Sequence, residues 1–99
     1  MLNLTKSEQG DKLVVELDGR LDSMTAGSFK SDLTESLPGI TELTLDFDRL
    51  EYVSSAGLSV LLAAQKTMMR QGSMKLVNVN DAVMDILDVT GFSDILTIE

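Results

Sequence analysis

The amino-acid sequence predicts an α/β fold: one mixed, mostly parallel sheet of about five strands, met in the order ββαβαβαβ along the chain, with helices packed on it. Three observations carry this. Short apolar runs alternate with amphipathic stretches, the chain has one proline and no glycine-rich or serine-rich tract at which to divide it, and 99 residues that are 43% hydrophobic suffice for one core but not two. Residues 1–99 are therefore expected to form a single domain.

Residues 2–7 and 12–17 read as two strands joined by Glu8-Gln9-Gly10-Asp11, a short polar connection with glycine that closes a hairpin. After Asp18-Gly19-Arg20-Leu21-Asp22, the residues Ala26, Phe29, Leu33 and Leu37 fall at helical steps, and Pro38-Gly39 ends that helix. Over residues 42–47, Leu43, Leu45 and Phe47 alternate with Glu42, Thr44 and Asp46, the period of a strand with one buried face. A second helix is expected over residues 55–71, with Leu58, Leu61, Leu62 and Met69 inward and Gly72 as a left-handed terminator. Residues 74–79 make a fourth strand, residues 81–90 a third helix with Val83, Ile86 and Leu87 inward and Gly91 at its end, and residues 95–98 a last strand. Strands separated by helices should be parallel, and the first hairpin adds an antiparallel strand to the same sheet.

Composition removes whole classes of chemistry. No cysteine and no histidine means no disulfide, thiol nucleophile, thiolate or imidazole metal site, or histidine-based triad. A net charge of −8 repels nucleic-acid phosphates and anionic lipid, so no direct nucleic-acid contact and no membrane insertion are expected, and a protein partner fits better. No basic-then-apolar start and no long apolar run occur, so a cytoplasmic location is expected. Asp46-Phe47-Asp48 lacks the glycine and closing glutamate of a calcium loop and reads as a solvated strand face; no metal and no cofactor are expected. The elbow G-x-S-x-G would need glycine where Val53 stands. The six methionines suit either an adaptable surface or, more commonly, core and boundary packing.

The segment with chemical promise is Leu50-Glu51-Tyr52-Val53-Ser54-Ser55-Ala56-Gly57-Leu58, where a strand passes into a helix. In open α/β sheets this end docks ligands and partners, and the helix offers unpaired N–H groups and a positive dipole end. Ser54 as N-cap would accept from the backbone near Ala56 or Gly57, leaving the Ser55 hydroxyl outward as a phosphoacceptor. A pair of serines before an apolar helix also serves simply as a cap. Asp22 closes a parallel strand and is expected beside Ser55; capping the first helix together with Ser23 is its equal alternative. Arg20 is placed to pair with a carboxylate there.

Leu17-Asp18-Gly19-Arg20-Leu21-Asp22, Leu45-Asp46-Phe47, Tyr52-Val53-Ser54-Ser55-Ala56-Gly57-Leu58 and the late Val89-Thr90-Gly91-Phe92 together closely resemble the STAS domain, specifically the stand-alone anti-sigma factor antagonists, over essentially the whole chain. The resemblance implies a non-enzymatic switch: the unphosphorylated antagonist binds an anti-sigma factor, itself a serine kinase, and frees a sigma factor; phosphorylation reverses this and a serine phosphatase restores binding. By position the acceptor is Ser55, with Ser54 as the alternative, and Asp22, Ser54, Ser55, Ala56, Gly57 and Leu58 are the partner-binding residues. Many members have aspartate where Ser54 stands, and members commonly continue into a further C-terminal helix, so an uncovered sheet or helix face is expected for a partner or a homodimer. The other role the resemblance allows is a non-switching scaffold or adapter in a larger assembly such as a lipid or anion transporter.

Overall fold

In the computed structural model, which describes residues 1–99, the strands β1 (Leu2–Gln9), β2 (Lys12–Leu21), β3 (Glu42–Val53) and β4 (Ser73–Val77) lie side by side in sequence order. Between and after them come the helices α1 (Ala26–Ser36), α2 (Ser55–Gln71) and α3 (Asp81–Val89), then a 3-10 turn over Phe92–Asp94. As expected, β1 and β2 are antiparallel, while β2, β3 and β4 run parallel through their crossovers. The hairpin is tighter than its sequence suggests: pairing continues to Gln9↔Lys12, and Gly10 takes the left-handed turn conformation at φ +64°.

β2 and β3 also run further than their simple alternation indicates. From Glu16 to Asp18 on β2, its partner strand advances from Asp46 to Arg49; from Gly19 to Arg20 it advances from Leu50 to Tyr52. Each step inserts one extra residue in β3, and such bulges turn a spacing of two into three. Phe47, Leu50 and Val53 therefore all face the core. The Asp46 carboxylate supports the first irregularity, accepting the Asp48 N–H at 3.0 Å and the Asn78 side-chain amide at 3.0 Å.

All 24 core side chains are hydrophobic. Leu13, Val15, Leu17 and Leu21 of β2, Leu43 and Leu45 of β3, and Met74 and Leu76 of β4 supply the sheet layer; Phe29, Leu33, Leu58, Leu61, Val83 and Leu87 supply the helices. The alternate sheet residues, among them Lys12, Glu16, Asp18, Glu42 and Asp48, are exposed on the opposite face.

Three expectations are corrected. The last strand over residues 95–98 is a single parallel bridge, Leu76↔Ile98, so the sheet has four strands. The 3-10 turn sends Leu96 into the core, leaving only Thr97 and Glu99 to bond Leu76, at 2.8 and 2.9 Å. Gly72 ends α2 with φ 170°, an extended conformation, not a left-handed one; glycine is needed because a Cβ would lie 1.9 Å from the Thr41 carbonyl oxygen. Met69 is 73% exposed, and Met68 takes the inward place at 0%. The methionines divide accordingly: Met68 and Met74 are core, whereas Met1, Met24 and Met69 are exposed.

Candidate functional site

The carboxyl ends of β2 and β3 meet where the register pairs Leu21 with Val53. One residue on, the Ser54 N–H donates to the Leu21 carbonyl at 2.8 Å, which fixes the start of α2 against the end of β2. Ser54 is the N-cap of α2: its backbone is extended and its side-chain oxygen accepts the Gly57 N–H at 3.3 Å. Gly57 is required there, since a Cβ would stand 2.7 Å from Leu21 Cγ and 2.9 Å from its carbonyl oxygen. Leu58 is buried beneath. Ser55 is exposed on the first turn, and its carbonyl accepts from the Ser59 hydroxyl at 3.1 Å. No acidic residue occupies the first turn of α2, so its positive dipole end is open to an anion.

Asp22 follows Leu21 and sits beside this helix start. Its Oδ1 accepts the Met24 N–H at 3.0 Å and the Thr25 N–H at 3.1 Å, while Thr25 Oγ1 accepts the Asp22 N–H at 2.9 Å and donates to the Arg20 carbonyl at 2.9 Å. Asp22 thus organises the turn into α1, and Thr25 rather than Ser23 completes the ring. The Met24 N–H foremost, opposed by partial burial and helped by Thr25, holds the Asp22 carboxyl below its ordinary value. A depressed folded-state value means that Asp22 stabilises the fold above the unfolded-state value of about 3.9 and that this stabilisation is lost as pH falls through the folded value. Asp22→Asn, which keeps an acceptor but no charge, should therefore show a shallower acid-side decline in stability than the parent. Equal declines in chemical denaturation measured between about pH 5 and 2 would refute this.

Arg20 does pair as the sequence suggested, lying 3.9 Å from Asp22 Oδ2, and its guanidinium also stacks 4.6 Å from the Tyr52 ring centroid. Both contacts are partly solvated, so each contributes on the order of 1 kcal/mol or less. Tyr52 was not visible as a site residue from sequence, because its place opposite Arg20 depends on the two extra residues of β3. Asn80 is the other unforeseen contributor: it caps α3 by accepting the Val83 N–H at 2.9 Å and ties that helix to β3 by donating to the Leu50 carbonyl at 2.8 Å. An asparagine ahead of an acidic first turn was the available signal.

A family model described as "Mlab, STAS domain" matches residues 4–97. The chain belongs to this STAS domain family. Among its relatives, the anti-sigma-B factor antagonist of Listeria monocytogenes is 30% identical over 97 residues, covering 95% of this chain and 84% of that protein. An anti-sigma factor antagonist from Mycobacterium paratuberculosis superposes with a TM-score of 0.89 at 18% identity, over 99% of this chain and 85% of that one. The Bacillus cell fate determinant SpoIIAA in its phosphorylated form gives a TM-score of 0.74 at 17% identity, over 100% and 91% of the two chains. These two likenesses show the STAS fold.

Within this STAS domain the six candidate residues divide by exposure. Ser55 is exposed and Asp22, Ser54 and Ala56 are half-buried, whereas Gly57 and Leu58 are buried and hold the helix head in place without offering surface. Because the Ser54 hydroxyl satisfies an otherwise orphaned N–H, Ser54→Ala should cost about 1 kcal/mol, and Ser55→Ala less than about 0.5 kcal/mol. Urea denaturation distinguishes the two, and equal losses would mean that Ser54 is not the cap.

Proposed function

We propose that this chain is an anti-sigma factor antagonist controlled by phosphorylation. In its unphosphorylated form it binds, in the cytoplasm, an anti-sigma factor with serine kinase activity and so frees a sigma factor. The kinase phosphorylates Ser55, binding is lost, and a separate serine phosphatase restores it. The chain is the substrate and partner of these enzymes and catalyses nothing itself.

The observation that carries this reading is the division of labour between adjacent serines: Ser54 spends its oxygen on the Gly57 N–H, and Ser55 stands exposed at the positive end of α2. Phosphate on Ser55 adds about −1.5 to −2 charges, which the helix terminus tolerates within the domain. At an interface built around a neutral hydroxyl, the same charge brings desolvation and repulsion. A coupling of about 1 to 3 kcal/mol changes affinity roughly 5- to 150-fold, enough for partner exchange with the fold kept. Phosphate on Ser54 would instead disturb the cap, which favours Ser55 as acceptor.

Affinity capture from the native cell extract with wild-type, Ser55→Ala and Ser55→Asp baits tests the proposal. Wild type and Ser55→Ala should retain a kinase-like anti-sigma factor that Ser55→Asp loses, with phosphate found on Ser55 by mass spectrometry. Capture of the same assembly by all three, with both serines unmodified, would select a non-switching scaffold.

A further inference from the structure

The cationic side chains are unevenly provided for. Lys6, Lys12, Arg20, Arg49 and Lys75 each pair with a carboxylate. The remaining three of the eight, Lys30, Lys66 and Arg70, are exposed, carry no such pair, and all lie on α1 and α2. α2 has no acidic residue in its 17 positions, although the chain has 16 acidic residues. On α1 the helical period puts Asp32 and Glu35 on the flank away from Lys30, and Asp32 is held by Lys6 of β1. A strongly acidic protein thus presents one helical face whose local charge is positive. With a screening length of about 8 Å at physiological ionic strength, local charge governs what docks there more than the distant net charge does.

Between α1 and α2 runs a groove of about 230 Å³, with Leu33, Val60 and Ala63 among its apolar lining and Lys30, Thr34 and Thr67 among its polar lining. Enclosed small-molecule sites are typically roughly 300 to 1,000 Å³, so this depression suits side chains of a polypeptide better than a metabolite. Lys66 and Arg70 stand on the α2 ridge beside it, one helical turn apart.

We propose that the α1–α2 face docks an acidic amphipathic helix of a partner protein, with the apolar stripe of that helix in the groove and its carboxylates against Lys30, Lys66 and Arg70. Helix-in-groove recognition uses anchors at i, i+3 or i+4, and i+7, which a groove between two helices accepts. Ser55 and Ser59 begin the same α2 ridge, Ser55 about 22 Å and Ser59 about 16 Å from Arg70. The inference rests on this face alone, and the Ser55 capture experiment reads the phosphoswitch independently of it.

The test titrates the isotope-labelled full chain with a synthetic helix of about five turns, leucine on one stripe and glutamate on both flanks, and with a matched peptide carrying lysine for glutamate. The glutamate peptide should shift amide resonances of Lys30, Thr34, Ala63 and Thr67, and the lysine peptide should not. In the Lys66→Glu/Arg70→Glu double variant, with its helical content verified by circular dichroism, binding should weaken roughly fivefold or more. No shifts with the glutamate peptide, shifts confined to another face, equal binding of both peptides, or unchanged affinity in the double variant would each overturn the proposal.

Discussion

Phe47→Ala is expected to lower the free energy of unfolding by about 3 to 5 kcal/mol and the thermal midpoint by roughly 15 to 30 °C. The ring is 0% exposed in the core on β3, one residue beyond the last pair with β4 (Asp46↔Val77) and within the register shift with β2, so the packed side chains around it, not the strand ladder, limit how far the site can collapse. The loss combines the transfer term for the deleted ring with the cavity that remains. Against a total stability of about 5 to 15 kcal/mol this is a large fraction. Phe47→Leu, which keeps most of the volume, should lose less than half as much. Urea denaturation followed by circular dichroism decides the matter; a loss below about 1.5 kcal/mol for Phe47→Ala would mean that the sheet and helix layers repack around the site.

Gly72→Ala should cost about 3 kcal/mol although the residue it introduces is a better helix former. The reason is a collision, not the backbone angle: the added Cβ would lie 1.9 Å from the Thr41 oxygen, 2.6 Å from its carbonyl carbon and 2.8 Å from its Cα. All three are backbone atoms, and Thr41 cannot retreat without breaking its own bonds. Its N–H donates to the Asp11 carbonyl at 2.8 Å and its carbonyl accepts the Ser73 N–H at 2.9 Å, linking the starts of β2, β3 and β4. The same experiment applied to Gly27→Ala supplies the control, because a Cβ at that helical position would meet nothing within 4 Å beyond its chain neighbours and its own helix backbone. Gly27→Ala should be neutral or stabilising by up to about 1 kcal/mol. Matching behaviour of the two variants would remove the steric explanation.

The parts of the fold legible in the sequence were those set by local periodicity. α1 buries Ala26, Phe29 and Leu33 as their spacing indicates, β3 buries Leu43, Leu45 and Phe47, and α3 buries Val83 and Leu87 with Ile86 partly covered. The Ser54 cap was legible for the same reason, since a side chain and an N–H three residues away interact through one turn of backbone. The ring around Asp22 was half legible. Its carboxylate lies within reach of the next turn, but the choice of Thr25 over Ser23 depends on how the end of β2 is held.

By itself, then, the sequence determined the element order as far as α3, the inward faces of α1 and α3 and the first turns of that of α2, and the pair of serines at the head of α2, because each follows from contacts between residues a turn or less apart. Tertiary structure alone decided the rest. Residues 50–53 continue β3 because β2 lies alongside and the two bulges of β3 keep it in register, and that register sets Tyr52 under Arg20. Gly72 is obligatory because Thr41, 31 positions earlier, crosses its path. The residues after α3 bridge Leu76 once, because the 3-10 turn commits Leu96 to the core first. Which cations remain unpaired was equally beyond a linear reading: Lys6 of β1 reaches Asp32 of α1, and Lys75 of β4 reaches Glu99 of the C-terminal segment, only once the chain is folded, leaving Lys30, Lys66 and Arg70 unpaired on the helical face. Long-range pairing carries no periodic signature, and it becomes visible only once the strands have chosen their neighbours.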